Sequence, residues 1–331
     1  MNDSISTPFP HHDLLSLASW SAADIRRTLD LARTMKKDPA AHKNLLAGKR
    51  LALIFEKDSL RTRFTFDLGI QDLGGSAVYL DHRHERLGAR ESVPDMAKNL
   101  ERWVDVIVAR TYRHRHVSEL AKHARVPVIN GLSDLLHPCQ ALADMLTLYE
   151  KWGDDMAGKK FVYMGDGNNT CHSLLHAAPK LGMHMTVCTP EGYEPNFKVM
   201  ETARAAAAKN GVTLEHTSNP QQAAEGAHAV YTDVWASMGQ EDETEERAAV
   251  FHEFQVNETL MNLTHNAYFM HCLPAHRGQE VTAGVLEGPN SIVFDIAENR
   301  LHAQKAVLAL LLCTPKPDPS STQATSTVIN A

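Results

Sequence analysis

Basic and hydroxyl side chains stand together in residues 58–63, Asp-Ser-Leu-Arg-Thr-Arg, shortly after the apolar run 51–55. The apolar run predicts a buried strand, and residues 61–73 predict a helix with Asp58 or Ser59 as its N-cap. The first turn of a helix offers free backbone N–H groups and a positive dipole end, and the fork of Arg61 matches phosphate oxygens. The pattern therefore indicates a phosphate site, and a capped helix with two surface arginines explains it equally well.

Some residues at this helix start would bind a ligand, and others would make structural contacts. Ser59 and Thr62 add hydroxyl donors, whereas Leu60 offers only its backbone N–H. Arg61 and Arg63 are two positions apart and point to opposite sides of a helix, so only one of them can face a ligand. We assign that role to Arg61, which is nearer the N-terminus, and leave Arg63 to a structural or subunit contact.

Further polar residues follow predicted strands of the first half. Arg110 ends an apolar run and must reach either solvent or an anion, which it could share with Arg61. Pro138 suits the first position of a helix and places His137 at the cap and Gln140 on the first turn. An imidazole N–H can donate to a carbonyl oxygen while a carboxamide accepts from an NH2 group, and a carbamoyl group presents both. The alternative is that Gln140 caps the helix and His137 is incidental.

Polar groups also follow the predicted strands of the second half. Residues 165–169, Gly-Asp-Gly-Asn-Asn, lack the GxGxxG pattern of a dinucleotide site, but Asn169 and its neighbour could hold a carboxylate or simply form a turn and a cap. Asp233 could pair with a ligand ammonium, and the acidic stretch 240–246 beyond it is either a solvated loop or a mobile flap. Cys272 is either a poised thiol or a buried, inert cysteine, and no acid–base pair with protease spacing favours covalent thiol chemistry.

Composition excludes several classes of protein. The chain has 331 residues, of which 43% are hydrophobic and 22% charged, which is ordinary for a globular protein with a buried core. A formal net charge of -7 argues against a general nucleic-acid surface. No apolar stretch is long enough and free enough of charge to span a membrane, and the N-terminus is neither a signal peptide nor a transit peptide.

Cysteine and histidine usage indicates a reducing compartment and no bound metal. The five cysteines are scattered, and no pair has the short spacing of a zinc or redox motif. Free thiols in the cytoplasm fit this pattern best. The 19 histidines form no HExxH set. We therefore predict a cytoplasmic protein that needs no metal ion and no cofactor.

Strand-like and helix-like segments alternate along the chain, which predicts parallel sheets covered by helices on both faces. The predicted fold class is α/β, with two doubly wound parallel-sheet domains and a cleft between them. In such sheets ligands bind at the carboxyl ends of the strands, where all the polar groups above are expected. The predicted strands are 51–56, 77–80, 104–109, 126–129, 160–164, 185–188, 212–215, 229–231, 268–271 and 292–295. The predicted helices are 61–73, 94–102, 117–123, 138–152, 169–181 and 195–210, after a helical pattern in 13–46 in which Ser21 caps a second helix.

The boundary between the two domains is expected in the helix that follows His137. Residues 1–148 form the first predicted domain and residues 149–299 the second. A final helix, 300–313, is expected to pack back on the first domain. Residues 314–331 are rich in Pro, Ser and Thr and are predicted to be disordered.

Read together, these motifs resemble the aspartate/ornithine transcarbamylase family, and most closely its ornithine branch. The likeness covers about residues 10 to 313, and the motifs occur in the order of the family. The Ser-Met-Gly sequence at 237–239 argues against aspartate, acetylornithine or succinylornithine as the acceptor. The matching segments are Ser59–Arg63, Arg110, His137–Gln140, Asp166–Asn169, Asp233, Ser237–Gly239, His271–Pro274 and Glu298–Arg300.

The resemblance implies transfer of a carbamoyl group from carbamoyl phosphate to the δ-amine of L-ornithine, giving L-citrulline and phosphate. The amine would attack directly, with residues 1–148 binding carbamoyl phosphate and residues 149–299 binding ornithine. The implied catalytic residues are Arg110, His137, Gln140, Cys272 and Arg300. The implied carbamoyl-phosphate ligands are Ser59, Leu60, Arg61, Thr62, Arg110, His137, Gln140, Cys272, Leu273 and Arg300. The implied ornithine ligands are Asn169, Asp233, Ser237 and Met238.

The resemblance also implies a homotrimer or a higher homo-oligomer. From the net charge and the apolar pattern we expect no nucleic-acid or membrane partner. Two positions depart from the family pattern: Leu60 replaces the usual Thr, and Arg86 stands where relatives often carry Gln. Two alternatives remain open, which are a transcarbamylase with another acceptor amine, such as putrescine, and a non-catalytic phosphate-ligand-binding paralogue. A nucleotide-dependent dehydrogenase is a more distant third.

Overall fold

A computed structural model describes residues 3–84, 86–236 and 241–314. Two predicted ornithine ligands, Ser237 and Met238, lie outside the described residues. So does nearly all of the tail that is predicted to be disordered, from residue 315 to the end. The predicted phosphate and carbamoyl ligands, together with Asn169 and Asp233, all lie within the described ranges.

Two compact units make up the described chain. Unit 1 comprises the residues up to Leu142 together with those from Arg300 onward, and unit 2 comprises Ala143–Asn299. Within the described ranges, no helix combines the length and the apolar character needed to cross a bilayer.

The described part of unit 1 is built on a parallel sheet of four strands in the order β2-β1-β3-β4. The strands are β1 (Arg50–Phe55), β2 (Ser76–Asp81), β3 (Val106–Arg110) and β4 (Val128–Leu132). The helices are α1 (Asp3–Ser6), α2 (Ala22–Lys37), α3 (Leu60–Asp72), α4 (Val93–Leu100), α5 (His114–His123) and α6 (Pro138–Trp152), the last of which continues into unit 2.

The described part of unit 2 is built on a parallel sheet of five strands in the order β7-β6-β5-β8-β9. The strands are β5 (Lys160–Met164), β6 (His184–Cys188), β7 (Leu214–Thr217), β8 (Ala229–Thr232) and β9 (Tyr268–His271). The helices are α7 (Asn169–Ala177), α8 (Phe197–Lys209), α9 (Pro220–Ala224), α10 (Thr244–Phe251), α11 (Glu258–Met261) and α12 (Ala283–Leu286). A last helix, α13 (Val293–Cys313), begins in unit 2 and ends in unit 1.

Strand order shows where a ligand would bind in each unit. The central strands β1 and β3 are buried apart from Arg50, whereas the edge strand β2 is mostly exposed. The chain passes from β1 to β2 on one side and returns to β3 on the other, so the switch point lies between the carboxyl ends of β1 and β3. In unit 2 the same reversal occurs between β5 and β8. Loops that follow these four strands are therefore placed to hold ligands.

The prediction of two parallel-sheet α/β domains is confirmed by this topology. The predicted cap of α2 is also present, because the Ser21 Oγ accepts the Asp24 N–H at 3.1 Å and the Asp24 carboxylate accepts the Ser21 N–H at 2.8 Å. This reciprocal pair is a capping box.

The predicted strand at 292–295 is wrong, because these residues lead into α13, which begins at Val293. Val293, Ile296, Arg300 and Ala303 are all buried, and their spacing is that of one helix face. A four-residue apolar run does not distinguish a strand from the first turn of a buried helix.

The helical pattern predicted from residue 13 begins only at α2. Residues 13–20 are not helical, and Leu14 instead forms a parallel bridge with Ile129. The Leu14 N–H donates to the Val128 carbonyl at 3.0 Å, and the Leu14 carbonyl accepts the Asn130 N–H at 2.8 Å. Pairing alongside β4 satisfies the backbone of this segment and overrides its local helical periodicity.

Candidate active site

Ser59, one of the two predicted caps, is the N-cap of α3. Its backbone is extended, and its Oγ accepts the Thr62 N–H at 3.1 Å. Asp58, the other predicted cap, instead pairs with Arg83, with an Nη1–Oδ1 distance of 2.9 Å. The Leu60 side chain is 68% exposed. Helix α3 therefore presents its positive dipole end just beyond the carboxyl end of β1.

Arg61 and Arg63 take different roles, as their spacing predicts. The guanidinium of Arg63 stacks on the Tyr79 ring, with its carbon 3.8 Å from the ring centre. Arg61 is half-buried and close enough to His137 to affect its ionisation. Arg63 is thus a structural arginine, and Arg61 faces the polar cluster.

Arg300 connects the first turn of α3 to the first turn of α6. It is 2% exposed, and its Nη1 donates to the Gln140 Oε1 at 2.7 Å while its Nη2 donates to the Thr62 Oγ1 at 3.0 Å. Gln140 and Thr62 are buried as well. Because charge-assisted hydrogen bonds fix both partners, the Gln140 carboxamide has a set orientation.

His137 is buried beside several guanidinium groups. Burial lowers its pKa well below the usual histidine value, and the positive charges of Arg300, Arg110 and Arg61 lower it further. Its imidazole is therefore neutral near pH 7 and retains one N–H to donate. The geometry brings together all the predicted residues of unit 1, which we call the anion half-site: Ser59, Leu60, Arg61, Thr62, Arg110, His137, Gln140 and Arg300.

In unit 2 a hydrogen-bonded network joins the loops after β5, β8 and β9. Asn168 caps α7, because its Oδ1 accepts the N–H groups of Thr170 and Cys171 at 3.0 and 3.1 Å. Its Nδ2 donates to the Asp233 Oδ2 at 2.9 Å. The Cys272 thiol donates to the Asp233 Oδ1, also at 2.9 Å. Asp233 is only 6% exposed, and these contacts give each of its carboxylate oxygens a hydrogen-bond donor.

The loop after β9 is shaped by a buried histidine. Leu273 has a positive φ of 57°, and its N–H donates to the Nδ1 of His271 at 2.8 Å. The His271 Nε2 lies 3.3 Å from the Glu280 Oε1, and both side chains are fully buried. Burial opposes ionisation of Glu280, but contacts with His271 and the His276 N–H outweigh it and lower the Glu280 pKa. We call Asn168, Asn169, Asp233, Cys272 and Leu273 the amino-acid half-site.

A possible ligand set for a metal ion lies inside this network. Asp233, His271 and Cys272 each offer one ligand atom, and within the described chain these atoms lie within 4.8 Å of one another. Asp233 follows β8, whereas His271 and Cys272 lie at the end of β9, so no local motif joins all three. Each of these side chains already contacts a protein group, through Asn168, Glu280 or Asp233.

Sequence reasoning did not predict two supporting contacts of unit 2. Asn168, rather than Asn169, hydrogen-bonds to Asp233. Arg247 is 6% exposed, and its Nη1 donates to the Asp166 Oδ2 at 3.1 Å and to the Trp235 carbonyl at 2.9 Å. Burial raises the pKa of Asp166 to about 6, and Arg247 opposes this shift. Asn168 carries a cap signal that the sequence shows, whereas the partner of Arg247 lies 81 positions away.

Comparison with known proteins decides the family. The family description "Aspartate/ornithine carbamoyltransferase, carbamoyl-P binding domain" matches residues 12–150, and "Aspartate/ornithine carbamoyltransferase, Asp/Orn binding domain" matches residues 157–311. The chain belongs to the aspartate/ornithine carbamoyltransferase family. The anion half-site falls almost entirely within the first match, and the amino-acid half-site falls within the second. Arg300 alone of the anion half-site lies in the segment matched by the second description.

Individual carbamoyltransferases are similar over nearly the whole chain. Ornithine carbamoyltransferase from Pyrococcus horikoshii is 53% identical over 304 residues, which is 91% of this chain and 95% of the relative. "Ornithine carbamoyltransferase, anabolic" from Pyrococcus furiosus is 52% identical over 304 residues, or 91% and 96% of the two chains. A solved structure of the ornithine carbamoyltransferase from Pyrococcus furiosus matches with a TM-score of 0.89 and 50% identity, covering 92% of this chain and 98% of that one.

Proposed function

We propose that this protein is an ornithine carbamoyltransferase, which transfers the carbamoyl group of carbamoyl phosphate to the δ-amine of L-ornithine and releases L-citrulline and phosphate. The observation that carries the proposal is the convergence of Arg61, Arg110 and Arg300 on the neutral imidazole of His137. Such a buried cluster suits a small anion that also carries a carbonyl group. The names of relatives at about half identity support the same activity.

The anion half-site would hold carbamoyl phosphate from both of its ends. The hydroxyl groups of Ser59 and Thr62, the backbone N–H of Leu60 and the guanidinium of Arg61 would contact the phosphate. Leu60 needs no hydroxyl for this role, since its exposed side chain leaves only its backbone to contribute. The dipole of α3 adds a favourable field at the same point.

The carbamoyl group would meet the remaining residues of this half-site. Arg110 and His137 would stabilise the negative charge that develops on the carbamoyl oxygen. Gln140, held by Arg300, would orient the carbamoyl NH2 group.

The reaction needs positioning and charge stabilisation more than a dedicated base. The neutral δ-amine attacks the carbamoyl carbon, a C–N bond forms, and the C–O bond to phosphate breaks with its electron pair going to phosphate. The departing phosphate can accept the proton that the amine loses. Most of the acceleration would therefore come from orientation and from preorganised donors.

The amino-acid half-site would hold the α-amino and α-carboxylate groups of ornithine. Asp233 offers a carboxylate that Asn168 and Cys272 keep in place, which suits an ammonium. Asn169, at the start of α7, would bind the carboxylate, and Ser237 and Met238 would complete the set. The δ-amine is then left free for the carbamoyl group.

Competition between acceptor amines tests this assignment. Purified protein is given carbamoyl phosphate and L-ornithine, putrescine or L-aspartate, and the carbamoylated product is measured for each. We expect ornithine to be preferred by at least about a hundredfold in kcat/KM, because a diamine leaves the buried polar groups of unit 2 without partners. A preference for putrescine would assign another acceptor, and no phosphate release with any amine would indicate a binding protein.

We further propose a homotrimer that works in the cytoplasm in the biosynthetic direction. Leu60, Phe64 and Leu68 form an exposed apolar stripe on α3, and Val78 and Leu80 are exposed on the edge strand β2. Such a surface favours contact with a second copy. The five free cysteines suit a reducing compartment, and a close relative is named anabolic.

A further inference from the structure

A buried carboxylate lies next to the anion half-site without belonging to it. Glu56 directly follows β1, and its side chain is fully shielded from solvent. Its Oε1 accepts the Leu87 N–H at 2.7 Å, and its Oε2 accepts the Tyr112 N–H at 2.8 Å. The backbone N–H of Glu56 donates to the Arg110 carbonyl at 2.9 Å. One residue thus joins the loops that follow β1, β2 and β3.

These contacts hold the backbone of Arg110 on both sides. The Arg110 carbonyl is bound by the Glu56 N–H, and the N–H two residues later, at Tyr112, is bound by the Glu56 carboxylate. Between them, the Thr111 N–H donates to the Leu132 carbonyl at 2.9 Å. Arg110 is 5% exposed, so its side chain leaves this fixed backbone in a confined space.

The same carboxylate orders the loop after β2. Leu87, bound through its N–H, is buried in the core of unit 1. Its neighbour Arg86 stacks on the Tyr112 ring, with the guanidinium carbon 3.3 Å from the ring centre. The Lys57 ammonium lies 4.4 Å from the centre of the same ring. The two carboxylate oxygens of Glu56 therefore hold the backbones of Leu87 and Tyr112. The positions of Arg86 and Lys57 around the Tyr112 ring depend on these two contacts.

We propose that Glu56 is a positioning residue for carbamoyl phosphate, which acts by fixing Arg110 and the loop at Arg86. The inference rests on the proposed function, since it concerns the same anion. A carboxylate is required because it offers an acceptor to each of the two backbone donors, whereas an amide replaces one oxygen with a further donor. Glu56 itself does not need to touch the substrate.

The test compares the KM values of the two substrates in the full-length protein. Glu56→Gln keeps the side-chain size and removes one acceptor. We expect the KM for carbamoyl phosphate to rise by about tenfold or more while the KM for ornithine changes by less than about twofold, because displacement of a positioning group acts on the substrate that it orients. If Glu56→Gln does not accumulate as folded protein, Glu56→Asp replaces it, because the shorter side chain cannot reach both donors.

Asp105→Asn provides the matched control at the amino end of the same sheet, where Asp105 directly precedes β3. The Asp105 carboxylate accepts the Arg50 N–H at 2.8 Å and the Lys49 ammonium at 2.9 Å. Its loss should lower the melting temperature and leave both KM values unchanged. The proposal is overturned if Glu56→Gln behaves like this control, or if both KM values rise by the same factor. Wild-type protein that forms no citrulline and is not stabilised by carbamoyl phosphate would instead refute the proposed function.

Discussion

Arg61 and Arg63 are two positions apart in the sequence, but their side chains contact different groups in the structure. The positive charge of Arg61 helps to lower the pKa of His137, whereas the guanidinium of Arg63 stacks on the Tyr79 ring. We expect Arg61→Ala to lower kcat/KM for carbamoyl phosphate by ~10²–10³, since removal of one preorganised donor typically costs that much. Arg63→Ala should change it by less than about threefold at equal folding. Steady-state kinetics with circular dichroism decide, and equal losses in both variants would contradict the assignment.

The neutral state of His137 makes a second prediction at the residue scale. A histidine with an ordinary pKa gains a proton as the pH falls through about 6.5. Burial and the nearby guanidinium groups lower the His137 pKa, so this residue stays neutral through that range and continues to donate one N–H. His137→Asn should therefore lower kcat by ~10²–10³ without removing any break in the pH profile near 6.5.

Profiles of kcat against pH from 5.5 to 8 for wild type and His137→Asn provide the measurement. A wild-type decline centred near the ordinary histidine pKa that disappears in the variant would show that His137 is protonated there. That result would contradict the role of a neutral donor.

At the scale of elements, the cap of α3 combines a structural and a ligand role. Ser59→Ala removes the acceptor of the Thr62 N–H, and Ser92→Ala removes the matching acceptor of the Asp95 N–H at the start of α4. Each substitution should reduce the free energy of unfolding by ~1 kcal/mol in urea titrations. Only Ser59→Ala should also raise the KM for carbamoyl phosphate. The interpretation fails if Ser92→Ala raises it to the same extent.

The elements show how far sequence reasoning reaches. The apolar runs before Ser59 and Arg110 are strong enough to predict central strands, and each polar motif lies at or just beyond a strand end, as expected. The contacts of Arg300 with Thr62 and Gln140 span 238 and 160 positions, and no local pattern records such partners. Glu56 is a second example, because the sequence predicts only that it ends a strand. Its hydrogen bonds to the N–H groups of Leu87 and Tyr112 appear only in the structure.

The first turn of α13 illustrates the opposite difficulty. Residues 292–295 are predicted as a short strand, and the helical spacing of Val293 and Ile296 becomes visible only when Arg300 and Ala303 are known to be buried on the same face. A charged residue at a core position hides the periodicity that would extend the helix. A buried, charged site residue such as Arg300 therefore interrupts the apolar periodicity from which the helix would be predicted.

At the scale of the whole molecule, the apolar stripe on α3 predicts self-association. Phe64 is 57% exposed within this stripe, whereas Phe197 is 73% exposed on α8 of unit 2, outside it. Phe64→Glu should convert the proposed trimer to monomers in sedimentation velocity without loss of folding, because a charge cannot be buried there without a partner. Phe197→Glu should leave the oligomer unchanged. A monomeric wild-type protein at micromolar concentration would contradict the trimer.

Carbon-13 labelled carbamoyl phosphate tests the central claim most directly. The labelled compound is incubated with L-ornithine and the purified protein, and the products are followed by carbon-13 and phosphorus-31 NMR. We expect the label to enter the ureido group of citrulline and one phosphate to appear for each citrulline formed. Label that is lost only through the spontaneous decomposition seen without protein, with no ureido signal, would contradict it.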